Sequence, residues 1–184
     1  MAHVSTLSKD QQEYLKNPQV FEARCGVEPL ENLLRTGSGL VGVSRLIIEP
    51  SFGPATLLTL QYGADGVHVE VVRPKVNLWY ALEGGGPAWE EPSREMAQFK
   101  VGDLPELLQD FERLKAASEN APTVTRMIVN GQAYITLDGT PYRHYLRDFS
   151  DELSARWCPL APEAENQQGQ LRLVEAYMAL LEML

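Results

Sequence analysis

The sequence is poor in cysteine and histidine, and it has no long apolar run. Two cysteines in 184 residues, Cys25 and Cys158, are too few for a disulfide framework, and we expect both to be small buried hydrophobes. The three histidines show no metal-ligand spacing, so we expect no metal and no organic cofactor. No apolar run approaches the roughly 20 residues that cross a bilayer, which argues against membrane contact.

Positive charge is also scarce. Sixteen Lys and Arg residues against 25 Asp and Glu residues give a formal net charge of −9. A nucleic-acid binder must attract phosphates, so this excess of acid argues against that class. The first ten residues lack a basic segment followed by an apolar core, which predicts a cytoplasmic protein without a secretory signal. The hydrophobic fraction of 44% and the length predict one globular domain over residues 1–184.

Complete catalytic motifs are missing as well. Gly37-Ser38-Gly39 lacks the strand–turn–helix setting of a nucleophile elbow. Gly84-Gly85-Gly86 is not followed by the Gly-Lys-Ser/Thr of a phosphate-binding loop. The sequence therefore favours a protein that is not an enzyme, with an enzyme built from scattered residues as the alternative.

The first 40 residues have a helical pattern. Ser8 begins a capping box, which predicts a helix to about Lys16. Shorter helices are predicted over residues 20–24 and directly after Pro29. We therefore expect a helical N-terminal segment over residues 1–40.

Alternation of apolar and polar residues then predicts two meanders within residues 44–149. The first meander comprises strands at residues 45–49, 55–62, 67–73 and 76–82. The second comprises strands at residues 124–129, 132–137 and 142–149, with Asn130-Gly131 as the hairpin turn.

Two helices should pack on these strands. Asp103 is predicted to cap a helix over residues 104–117. A wide apolar stripe predicts a C-terminal helix over residues 170–184, and it consists of Leu171, Val174, Tyr177, Met178, Leu181 and Leu184. The order of elements predicts an α+β fold. We expect an antiparallel sheet of about six to seven strands, flanked by the N-terminal, middle and C-terminal helices.

Three side chains on one predicted strand suggest an anion site. Arg143, Tyr145 and Arg147 alternate onto one strand face, and guanidinium groups suit carboxylate or phosphate. An enzyme could use this face together with His144 as a pocket for an anionic substrate. The favoured alternative is that these arginines pair with the acidic helices packed nearby, and that His144 is an ordinary strand histidine.

Negative charge is concentrated in two segments, residues 83–120 and residues 148–184, each with a net charge of −5. Such charge can accelerate encounter with a basic partner. Within the predicted loop at residues 83–92, Trp89 offers a large anchor beside Glu90 and Glu91, which makes these three residues the expected partner-binding site. The alternative is a solvated loop whose Trp89 folds back onto the sheet.

Short motifs give the chain a resemblance to small acidic bacterial α+β proteins. They are Pro50-Ser51-Phe52 before a meander, Asp138-Gly139 before a late strand, Trp157-x-Pro159 and the leucine-rich terminal helix. The element order resembles the acidic chaperones of type III secretion effectors, although the N-terminal helices and an extra strand depart from that pattern. The size and charge resemble immunity proteins that neutralise bacterial toxins.

These resemblances imply a binding protein that works by stoichiometric contact. The implied partner is a basic bacterial toxin or effector domain, and a chaperone for a secreted effector is the alternative. A homodimer stays open as a further possibility.

Overall fold

The computed structural model describes seven stretches of the chain: residues 7–17, 19–83, 87–121, 123–124, 127–134, 140–157 and 165–184. Within these stretches lie six α-helices: α1 (Lys9–Lys16), α2 (Gln19–Arg24), α3 (Leu30–Thr36), α4 (Leu78–Ala81), α5 (Phe111–Glu119) and α6 (Gln168–Leu181). The same stretches hold eight strands: β1 (Leu40–Ile48), β2 (Thr56–Gly63), β3 (Gly66–Arg73), β4 (Ser93–Phe99), β5 (Met127–Val129), β6 (Gln132–Tyr134), β7 (Tyr142–Arg147) and β8 (Glu152–Trp157).

Six of the strands form one antiparallel sheet, in the order β4-β3-β2-β1-β7-β8. The α+β class and the antiparallel sheet, predicted from the sequence with about six to seven strands, are confirmed with six. Strands β5 and β6 form a separate hairpin. Its turn is the predicted Asn130-Gly131, where both residues take the positive φ that a tight hairpin turn needs.

Each face of the large sheet is covered by helices. The α6 face carries Leu46, Leu58, Val69 and Leu146, which pack in one core with α5 and α6. The α2 face carries Ile47, Leu57 and Val72, which pack with Phe21 and Leu78 in a second core.

The helix layer on the α6 face lies close to the backbone of the sheet. A Cβ atom on Gly42 of β1 would come within 2.2 Å of the Phe111 ring, so only glycine allows this approach. A Cβ atom on Gly169 would lie 2.7 Å from the Asn120 carbonyl oxygen. These two glycines bring α5 onto β1 and the start of α6 onto the end of α5.

A buried arginine fastens the N-terminal helices to the α2 face. Arg45, in the centre of β1, has no exposed surface. Its Nε donates to Thr59 Oγ1 at 2.8 Å, its Nη1 contacts Glu22 of α2, and its Nη2 donates to the Glu28 carbonyl at 2.7 Å. One side chain thus joins two strands, a helix and the turn that follows it.

A second arginine holds the same turn from the edge of the sheet. Arg94 of β4 donates from Nη2 to the carbonyls of Cys25 and Gly26, at 2.7 and 2.6 Å, and from Nη1 to Glu70 of β3 at 2.5 Å. Carbonyl groups beyond the end of α2, which lack partners in the helix, therefore accept hydrogen bonds from a side chain of the sheet.

The predicted N-terminal helices are confirmed. The capping box is present, with the Gln11 amide donating to Ser8 Oγ at 3.0 Å, and α1 ends at Lys16 as predicted. Helices α2 and α3 lie where the pattern placed them, with α3 starting directly after Pro29.

The strand predicted over residues 76–82 is wrong, because this segment contains the short helix α4. Asn77 caps it by accepting from the Trp79 amide at 2.9 Å. The Asn77 amide group also donates to the carbonyls of Pro50 and Gly53, at 3.1 and 2.8 Å. The alternating apolar residues there face the second core from a helical turn, because tertiary packing overrides a short period-2 pattern.

The middle helix begins later than predicted. Pro105 keeps the preceding Leu104 extended, so residues 101–108 form two 3₁₀ turns instead of a helix. Asp110, and not Asp103, is the N-cap, because its carboxylate accepts from the amides of Glu112 and Arg113.

Two edge strands were missed, and another segment lies outside the large sheet. Strand β4 has polar and apolar residues on both faces, which hides the period of 2. Strand β8 does alternate, with Leu153, Ala155 and Trp157 on its inner face, so its signal was present but was not recognised. The segment predicted to contribute strands at residues 124–129 and 132–137 forms the separate β5–β6 hairpin. The Asp138-Gly139 turn and residues 135–137 lie outside the described residues.

The ends of the last predicted elements also differ from the prediction. Strand β7 stops at Arg147, which leaves Phe149 exposed in the following loop. Helix α6 begins at Gln168, and its inward side is formed by Leu173, Val174, Tyr177 and Leu180. Met178, predicted for the apolar stripe, is exposed because it is adjacent to Tyr177 and points about 100° away from it.

Two neighbouring leucines provide a test of this core. Leu108 is fully buried, whereas Leu107 is only half-buried at its margin. Leu108→Ala should therefore lower the free energy of unfolding by about 2–5 kcal/mol, with Leu107→Ala costing clearly less. Urea denaturation of the two variants measures this difference, and equal losses would contradict the packing described here.

Candidate functional site

Arg143, Tyr145 and Arg147 share the α2 face, as the strand period predicted. Both arginines contact carboxylates of the chain itself. Arg143, almost fully buried, places Nε and Nη2 at 2.8 and 2.9 Å from the two oxygens of Glu49. Arg147 contacts Glu152 and lies 4.0 Å from Glu31. An external anion would have to displace these carboxylates, so the arginines act here as ion-pair partners.

Tyr145 and Arg147 line a groove of about 460 Å³ between β7 and the N-terminal helices. Its other walls include the apolar Val20, Val27 and Leu30. The charged residues at the rim of this groove form ion pairs with one another or with nearby side chains. The groove therefore offers a ligand mainly its apolar residues.

His144 lies on the opposite face of the sheet from the two arginines. Its Nε2 is 3.0 Å from the Tyr177 hydroxyl, which donates to Ser44 Oγ at 2.8 Å. Its Nδ1 is 3.3 Å from Ser118 Oγ. Burial lowers the pKa of His144 to about 4, so the ring is neutral near pH 7. His144 joins β1, β7, α5 and α6 in the core and cannot share a substrate pocket with the arginines.

The loop at residues 87–92 exposes fewer contact groups than the sequence suggested. Trp89 is half-buried against the second core, so only part of its ring is available to a partner, and the binding role of Trp89, Glu90 and Glu91 stays a prediction. Glu90 Oε2 lies 3.3 Å from Lys75 Nζ. Of the three predicted contact residues, Glu91 alone is an exposed charge with no ion pair within the described residues. Residues 84–86 lie outside the described part.

The two acidic segments meet on the helix layer. Residues 101–121 and 165–184, which contain α5 and α6, hold eight acidic and three basic residues, a local charge of −5. Both helices cover the α6 face, so their outer sides face the same way. We call the exposed carboxylates of residues 101–121 and 165–184 the acidic helical face: Asp103, Glu106, Glu112, Glu119, Glu165, Glu175 and Glu182.

Most of this charge has no ion-pair partner among the residues that the structure describes. Within the described residues, Glu106 is the one member that forms an ion pair, with Arg113 at 3.0 Å. Lys115, a nearby base, is held by Asp148 at 2.7 Å. On the α2 face, by contrast, the carboxylates of Glu22, Glu49 and Glu70 are all paired with arginine. Unbalanced negative potential therefore lies on the helix layer.

Apolar surface lies beside this charge. Met178 on the outer side of α6 and Met183, just after the end of this helix, are 42% and 46% exposed. A groove of about 350 Å³ runs between α6 and the segment before α5, lined in part by Leu107 and Ala176. Flexible methionine side chains adapt to irregular partner surfaces, so this combination suits contact with a protein.

The remaining candidate groups show no reactive setting. Burial raises the pKa of the Cys25 thiol to about 12, so the thiolate that a nucleophile needs does not form near pH 7. Cys158 lies outside the described residues. Where the chain is described, no three His, Cys, Asp or Glu side chains are grouped so as to hold a metal ion, and no helix is long and apolar enough to cross a membrane.

Comparison with known proteins adds no family to this picture. No protein-family model and no curated protein sequence matches the chain.

The sequence contained a signal for the methionines that was not used. Residues adjacent in a helix point about 100° apart, so Tyr177 and Met178 cannot both face the centre of the core. No local pattern in the sequence predicts that the acidic residues form one surface, because this depends on α5 and α6 packing side by side.

The buried His144 predicts a pH dependence of stability. Its pKa is about 6.5 when unfolded and about 4 when folded, so only the unfolded state takes up the proton between these values. The contribution of neutral His144 to the free energy of unfolding is therefore complete above pH 6.5. It is lost as the pH falls towards 4, and the loss is up to about 3 kcal/mol. Denaturation from pH 7 to 4 should show this loss in the wild type and a flatter profile in His144→Gln. Parallel profiles would contradict this assignment.

Proposed function

We propose that this protein is a non-enzymatic, cytoplasmic binding protein that contacts a basic partner protein through its acidic helical face. The observation that carries the proposal is the unpaired negative charge on α5 and α6 beside exposed methionines. Complementary charge steers association, and adaptable apolar side chains slow dissociation.

The class of partner rests on the resemblance described from the sequence. An immunity protein neutralises a toxin by stoichiometric contact, and an acidic surface fits a basic toxin or effector domain. A chaperone for a secreted effector would use the same surface and is the second candidate.

Two sequence-based alternatives have less support. The loop at Trp89 is not the favoured contact, because Trp89 packs on the second core and Glu90 pairs with Lys75. The enzyme alternative needs Arg143, His144 and Arg147 in one pocket, but His144 lies on the other face of the sheet.

Charge reversal on α6 tests the proposal once a partner has been captured from the native host and purified. The variant Glu175→Lys/Glu182→Lys should slow association by roughly tenfold or more at low salt and flatten its salt dependence, because long-range attraction is lost. Surface binding kinetics at two salt concentrations measure both effects.

A matched control places the same charges elsewhere. Asp10 and Glu13 are exposed acids on α1, and α1 lies on the other side of the sheet. Asp10→Lys/Glu13→Lys changes the net charge equally and should slow association much less. Equal slowing by both variants, or a partner without a basic surface, would contradict a localised acidic binding face.

A further inference from the structure

A cavity of about 280 Å³ lies on the α2 face, at the end of the sheet where β1 leads towards β2. Helices α1, α2 and α4 line it with the rings of Tyr14, Phe21 and Trp79. The Tyr14 ring packs beside both of the others, with centroid distances of 6.4 Å. Ligand pockets are usually about 300–1,000 Å³ and lined mainly by apolar and aromatic side chains, so this cavity suits a small ligand.

Glu49, the carboxylate that lines this cavity, already has its partners. Its Oε1 accepts from the Tyr14 hydroxyl at 2.5 Å, and its two oxygens lie 2.8 and 2.9 Å from nitrogens of Arg143. Burial is the main cause that raises the pKa of Tyr14, and Glu49 adds to it, so the hydroxyl stays protonated near pH 7 and remains the donor. The charge of Glu49 is therefore compensated by Arg143 and does not compensate a second cation.

Arg156 of β8 brings a further positive charge to the same cavity. It lies directly opposite Arg143 in the pairing of β7 with β8, so both side chains are on the α2 face. The Arg156 side chain is exposed, and within the described residues it forms no ion pair and donates no hydrogen bond. The cavity and its immediate surroundings thus hold two guanidinium groups and one carboxylate, which leaves one positive charge uncompensated.

We propose that this cavity binds a small aromatic monocarboxylate, whose carboxylate pairs with Arg156 and whose ring packs against Tyr14 and Trp79. A guanidinium group binds a carboxylate through two parallel hydrogen bonds, so the two groups match in geometry as well as in charge. The ring of a ligand packs favourably against aromatic side chains in edge-to-face or offset arrangements. One uncompensated positive charge matches a ligand with one negative charge.

The charges disfavour the other ligand class that an aromatic cavity can take. Three rings beside a carboxylate can hold a quaternary ammonium group by cation–π attraction. In this cavity Glu49 is bound to Arg143, and Arg156 would repel a cation. A neutral aromatic molecule would contact the rings but would form no ion pair with Arg156.

This ligand site is independent of the proposed function. The cavity lies among α1, α2 and α4, whereas the acidic helical face belongs to the layer of α5 and α6 on the other side of the sheet. A cavity that fails to bind the carboxylate would therefore leave the proposed protein contact as it stands.

Isothermal titration calorimetry of the full chain tests the ligand class. Benzoate should bind at one site per chain with a dissociation constant of about 1 mM or lower. Benzamide lacks the charge and acetate lacks the ring, so each should bind at least about tenfold more weakly. Phenyl phosphate carries close to two negative charges near pH 7 and should also bind more weakly than benzoate. No binding of benzoate, or a match by any of the other three probes, overturns the proposal.

Two matched variants locate the carboxylate. Arg156→Gln should raise the dissociation constant of benzoate by about tenfold or more, and the fold should persist because this side chain forms no ion pair or hydrogen bond within the described residues. Arg172→Gln removes the same charge from an exposed position of α6, on the other side of the sheet, and should leave the constant within about twofold. An unchanged constant in Arg156→Gln, or an equal rise in both variants, overturns the site.

Intrinsic fluorescence locates the ring. Benzoate bound beside Trp79 should change the tryptophan emission of the wild type. The change should be absent in Trp79→Phe and retained in Trp89→Phe, because Trp89 does not line the cavity. A change that persists in Trp79→Phe overturns the placement of the ring.

Discussion

The buried guanidinium of Arg45 is the constraint on which the arrangement of the chain depends. A charge with no exposed surface in the central strand of a sheet is costly unless all its partners are supplied. Thr59, Glu22 and the Glu28 carbonyl supply them, and two of the three come from the N-terminal segment. The sheet therefore has a stable α2 face only when α2 and the turn after it are docked. Arg94 and Arg143 repeat this arrangement towards each edge.

The two faces of the sheet consequently carry different chemistry. On the α2 face, the glutamates packed against the sheet, Glu22, Glu49 and Glu70, are bound to arginines and contribute little free potential. The α6 face is closed by apolar packing and by the neutral His144–Tyr177–Ser44 chain of hydrogen bonds, which needs no carboxylate. Most exposed acids of residues 101–121 and 165–184 have no ion pair within the described residues and lie on the outside of the helix layer. This division places −5 of the net charge of −9 on that layer.

The sequence predicted most of the fold because its strongest signals are local. The capping box at Ser8, the hairpin at Asn130-Gly131 and the stripe of α6 each depend on a few neighbouring residues. The predictions failed where distant contacts decide. Asn77 starts a helix in a segment with strand-like alternation, and β4 becomes a strand because β3 offers it a partner. Of the predicted sites, Trp89 folds back onto the second core and Arg143 pairs with Glu49, contacts between segments far apart in sequence that no local pattern encodes.

Hydrogen exchange of an Arg45→Met variant, followed by mass spectrometry, tests this account most directly. Breaking a buried ion pair costs about 3–5 kcal/mol, so exchange in α1–α3 should accelerate by about a hundredfold or more. Helices α5 and α6 should keep their protection, because their packing on the α6 face does not involve Arg45. Arg35→Met, which removes an exposed pair with Glu31, is the control and should leave exchange in all helices nearly unchanged. Unchanged protection of α2 and α3 in Arg45→Met would contradict the account.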